Sequence, residues 1–113
     1  MKGDGETGFM DALAEYARTE GWLVAHFTAG QVRPGTFVTA VKYDGKGFPD
    51  LTMCRGERLV FVECKREGVR KLRPDQESWR DALRLTSAEW YLWNPLDWPE
   101  VKVALAHPKR KAR

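Results

Sequence analysis

With 113 residues, 42% of them hydrophobic and five of them tryptophan, the chain can bury one core but not two, so a single small domain over residues 1–108 and a basic, disordered tail at 109–113 are expected. A formal charge of +3 permits nucleic-acid binding without requiring it, and no apolar run is long enough to span a membrane. Cys54 and Cys64 form no CxxC and only His26 and His107 could join them, so no zinc pattern assembles. Both cysteines are read as small buried hydrophobes of a reducing compartment, and with no charged-then-apolar leader a cytoplasmic location is expected.

Residues 9–20 place Phe9, Leu13, Tyr16 and Ala17 at helical spacing before the stop at Gly21, which predicts a first helix. Strands are expected at 22–27 and 36–41, with the long stretch 28–46 holding a substrate loop or an extra hairpin. Two strands follow, Leu51-Thr52-Met53-Cys54 and Leu59-Val60-Phe61-Val62, joined through the polar turn Arg55-Gly56-Glu57-Arg58. Pro74 fits the first turn of a helix whose inward face carries Trp79, Ala82 and Leu83 and which fades near Ser87. A strand at 90–93 and a short helix at 99–106 complete an α/β order, αβ(β)ββαβα, with helices on a mixed sheet. Trp79, Trp90, Trp93 and Trp98 read as core, with one or two available for a dimer interface.

The hairpin is the informative part. If it centres on its turn, Asp50 of Gly47-Phe48-Pro49-Asp50 falls opposite Glu63 of Glu63-Cys64-Lys65, and the two-residue period of a strand sets Lys65 on the face of Glu63. Two carboxylates and an ammonium then meet at one strand edge. Carboxylate oxygens suit a hard cation such as Mg²⁺, which takes one or two of them and completes its shell with water and phosphate oxygens. The ordinary alternatives are a turn aspartate after Pro49 and a Glu63–Lys65 salt bridge, but a carboxylate ending an apolar run calls for a cation or hydrogen bonds.

The Pro49-Asp50 and Glu63-Cys64-Lys65 pair resembles the signature of the PD-(D/E)XK nuclease superfamily. With Pro74-Asp75-Gln76 opening a helix and the closing strand running to Trp93-Asn94-Pro95, the ordered set looks like the compact VRR-NUC nucleases of phage and prophage genomes, over residues 13–105. The resemblance implies a restriction-endonuclease-like core. It also implies a metal-dependent DNA endonuclease in which Asp50, Glu63 and the backbone carbonyl of Cys64 hold Mg²⁺ or Mn²⁺, Lys65 orients the hydrolytic water, and Gln76 lies close to the active site, where otherwise it is an ordinary first-turn residue. An acid of the first helix, Asp11 or Glu15, would stand near the metal. Stand-alone members are expected to be homodimers acting on branched DNA such as four-way junctions; flaps, nicks or linear ends, or a non-catalytic DNA-binding module of a phage complex, are the alternatives.

Charge is unevenly spread. The first twenty residues hold five acids against Lys2 and Arg18, whereas Arg66, Arg70, Lys71 and Arg73 follow the Glu63-Cys64-Lys65 motif, where a phosphate backbone would run. Arg33, in the 28–46 stretch, is a further candidate DNA contact, and His26 is a structural histidine or a polar group near the substrate.

Overall fold

The computed structural model describes residues 5–27, 30–38 and 41–108; side chains of 30–33 and 36–38, Arg33 among them, and the basic tail at 109–113 lie outside the described part. In chain order the elements are α1 (Glu6–Thr19), β1 (Leu23–Ala25), β2 (Gly30–Arg33), β3 (Thr36–Val38), β4 (Leu51–Arg55), β5 (Arg58–Cys64), α2 (Pro74–Arg84), β6 (Glu89–Trp93), a 3₁₀ turn (Pro95–Asp97) and α3 (Trp98–Leu105). The fold is α/β, with an open four-stranded mixed sheet of order β1-β4-β5-β6. The β1–β4 and β4–β5 pairs are antiparallel, and β5–β6 is parallel, with α2 as the crossover.

Strand alternation divides the sheet into two faces. Leu51, Met53, Val60, Val62, Cys64 and Trp93 point to one side and bury against Phe9, Leu13 and Ala17 of α1 and Val101 and Leu105 of α3. The other side carries Phe61 and Glu63 and receives α2 through Phe48, Trp79 and Gln76. Because α2 packs mainly over β6, the far end of that face stays open. There Leu23, Cys54 and Leu59 lie in register across β1, β4 and β5, and all three are exposed. Cys54 is therefore a surface thiol rather than the core residue expected; the expectation holds for Cys64.

The expected strand at 22–27 contracts to Leu23–Ala25 because Trp22 turns inward, 3% exposed, and its Nε1 donates to the Leu105 carbonyl at 2.9 Å. Arg55 and Arg58 lie over its ring, 4.5 and 5.0 Å from the centroid, which ties the hairpin to the end of α3. Residues 30–38 form the extra hairpin, a two-stranded sheet separate from the first among the described residues. Of the tryptophans expected in the core only Trp93 is fully buried; Trp79, Trp90 and Trp98 are half-buried, and Ala82 faces solvent. Among the described residues no helix is long and apolar enough to cross a membrane.

Candidate functional site

The β4–β5 hairpin closes through a two-residue turn with Gly56 at φ 61°, a conformation that glycine adopts at no steric cost. Its register pairs Leu51 with Val62, so the next position on each strand brings Asp50 opposite Glu63. Asp50 is fixed at both ends: the Cys64 N–H donates to Asp50 Oδ2 at 2.8 Å, and the Asp50 carbonyl accepts from His26 Nδ1 at 2.8 Å. His26 thus lies directly behind the aspartate, with Nδ1 carrying the proton of that bond.

Glu63 is 3% exposed. Burial pushes its carboxyl up to about 8, and the Asp50 charge adds to the effect, while Lys65 pulls the other way; a hydrogen bond with Asp50 raises it further and Arg73 opposes that. A carboxyl buried against a second carboxyl retains a proton unless a cation replaces it.

Gln76 organises the other side. From the first turn of α2 its Nε2 donates to Glu63 Oε2 at 2.7 Å, while its Oε1 accepts from Lys65 Nζ at 3.3 Å and from the Arg73 N–H at 2.8 Å. Gln76 thus does two things at once: it caps the helix, and it joins Glu63 to Lys65. Gln76→Ala should leave Glu63 and Lys65 without these partners and uncap α2, lowering stability by about 1–3 kcal/mol in urea denaturation. Stability equal to that of the parent chain would show that Gln76 is not holding the pair.

Cys64 contributes backbone rather than sulfur. Its thiol is buried and held protonated, first by desolvation and then by the charges of Asp50, Glu63 and Glu6, in that order. Glu6 is a further acid of α1, outside the two named from the sequence. It stands four, seven and eleven residues before Met10, Leu13 and Ala17, and so on the core-facing side of α1. Asp11 and Glu15 are exposed, and their helical positions set them on the opposite face from the sheet. Glu6 is exposed as well, but its charge is felt at Cys64.

Among the described residues no three His, Cys, Asp or Glu side chains are grouped so as to hold a metal by themselves. Two carboxylates supplemented by main-chain oxygen and water are nonetheless a donor set that Mg²⁺ or Mn²⁺ accepts. The candidate DNA contacts divide. Arg66 and Lys71 are exposed, whereas Arg70 is held bidentately by Asp97 at 2.7 and 2.8 Å and Arg73 lies 3.2 Å from Asp75.

Compared with known proteins, the chain matches no family model, no curated protein and no solved structure.

Proposed function

We propose that this chain is a divalent-metal-dependent DNA endonuclease with a restriction-endonuclease-like core of the VRR-NUC type. The observation that carries this reading is the meeting of Asp50, buried Glu63 and Lys65 at one end of the hairpin, clamped by Gln76. As a purely structural device such an arrangement is costly once Glu63 ionises, because the buried charge then faces a second carboxyl. It makes sense where a cation and a phosphate arrive together.

Asp50, Glu63 and the Cys64 carbonyl would hold Mg²⁺ or Mn²⁺, which supplies charge neutralisation at the phosphate and a more acidic water. The chain's own groups do the rest. The Cys64 N–H keeps the Asp50 carboxylate aimed, and Gln76 holds Glu63 in place while leaving Lys65 Nζ two of its three protons to offer. Lys65 orients the attacking water and offsets charge on the phosphorane. In-line attack then leaves a 5′ phosphate and a 3′ hydroxyl.

Four-way junctions are the proposed substrate, cut by a homodimer, because two symmetric nicks need two active sites related by a two-fold axis. The test is a Mg²⁺ and Mn²⁺ titration on end-labelled four-way junction, flap, single-stranded and linear duplex DNA. Metal-dependent products are expected on the junction first, with Lys65→Ala slower by about a hundredfold. Products that prefer flaps or linear ends would change the substrate. DNA binding without cleavage of any of the four would replace the enzyme by a non-catalytic DNA-binding module.

A further inference from the structure

A cavity of about 330 Å³ opens beside Asp50, bounded by His26, Phe27, Val41, Lys42, Phe48 and Asp50. Its lip is unusually apolar for a surface: Phe27 is 70% exposed and Val41 52% exposed. Its inner wall is firm, because Phe48 is gripped edge-on by Phe61 and Trp79 with centroids 5.7 and 5.0 Å away, and Trp79 is anchored in turn by donating Nε1 to the Asp44 carbonyl at 2.8 Å. His26 has already committed Nδ1 to the Asp50 carbonyl, so Nε2 is the ring nitrogen left for a ligand.

We propose that this cavity receives an unpaired nucleobase of the substrate strand, stacked on Phe27, with His26 facing its polar edge and Lys42 at the adjoining phosphate. The proposal rests on the nuclease assignment and specifies the substrate of that same site. Asp50 lines the cavity and is also a proposed metal ligand, so the cavity adjoins the place where the phosphate would stand. The size and lining suit a planar, mostly apolar group with a polar rim. A base within a duplex is stacked on both faces and cannot enter without leaving the helix, whereas a base in a flap or single-stranded end is already free to do so, and a paired base at the branch point of an open junction has lost one stacking neighbour and leaves more easily. The cavity therefore selects nucleotides next to a break in pairing.

The experiment uses 2-aminopurine placed at successive positions in a duplex with a single-stranded overhang, bound to Lys65→Ala protein so that no strand is cut. Quenching is expected at one unpaired position only. Phe27→Ala should abolish it and weaken binding of the overhang DNA roughly tenfold, with fully paired duplex unaffected, and Phe27→Trp should preserve it. Because Phe27 is exposed, both variants should keep the parent melting temperature. Equal quenching in Phe27→Ala, quenching at every position, or no binding of the oligonucleotide overturns the proposal. Cleavage by wild-type protein without a Phe27-dependent signal removes the cavity's role and leaves the nuclease standing. A Phe27-dependent signal from a chain that never cuts DNA supports the cavity and removes the nuclease.

Discussion

Glu63→Gln should reduce metal-dependent cleavage by roughly a thousandfold and at the same time make the metal-free protein more stable at alkaline pH. Both effects come from one carboxyl. Glu63 is raised from the ordinary 4.5 to about 8, chiefly by burial and by Asp50. A group whose folded value is raised contributes stability that is fully present below about 4.5 and is lost as pH rises through about 8. In EDTA the parent chain should accordingly weaken by on the order of a few kcal/mol between pH 5 and pH 9, as read by urea denaturation. The glutamine keeps the oxygen that accepts from Gln76 Nε2 but has no charge to expose, so its stability should stay level over that range. The cation competes with the proton for the same oxygens. Mg²⁺ affinity should therefore climb by about tenfold per pH unit up to pH 8 and then flatten, with proton release detected by calorimetry in buffers of different ionisation heat. A parent chain with no pH-dependent stability in EDTA, or Glu63→Gln with undiminished cleavage, would remove the basis for a metal at this position.

The strand half of the site was legible in the sequence because alternation and turn length fix a hairpin's register. Once Gly56-Glu57 is the turn, Asp50 and Glu63 have little choice but to face one another. The start of α1 was less legible, for a physical reason that concerns Gly8. A glycine in the first turns weakens the helical pattern, so the periodicity is clear only from Phe9 onward and Glu6 falls outside it. Continuing the Leu13, Met10 spacing back by one more turn reaches Glu6, whereas the i, i+4 spacing of Asp11 and Glu15 shows only that they share a face. Cys54 illustrates a different limit. Its strand position was readable, but whether its face is covered depends on where α2 lands, and that is decided by long-range packing. The hold of His26 on the Asp50 carbonyl is equally non-local, spanning 24 residues, and no spacing rule announces it.

Gly47→Ala should be among the most damaging single changes outside the core, although it adds one methyl group to a loop. A Cβ at Gly47 would lie 2.6 Å from the carbonyl carbon of Asp75, 2.7 Å from its oxygen and 2.9 Å from its Cβ, at a φ of 89°. The first two contacts are backbone at the start of α2, held there by Pro74 and by the Gln76 cap, so nothing flexible can give way. Backbone strain and overpacking together should cost about 3 kcal/mol or more. Gly56→Ala is the internal control: its φ of 61° is also positive, but nothing lies within 4 Å of the added Cβ, and a cost nearer 1 kcal/mol is expected from backbone conformation alone. The excess at Gly47 is then the contact between the loop and α2. Since that contact sets where the start of α2, and with it Gln76, stands over Glu63 and Lys65, Gly47→Ala protein that still folds in the cold should bind Mg²⁺ at least tenfold more weakly, whereas Gly56→Ala, at the far end of the hairpin, should bind it normally. Equal melting temperatures for the two variants would mean that the loop carrying Asp50 is not braced by α2.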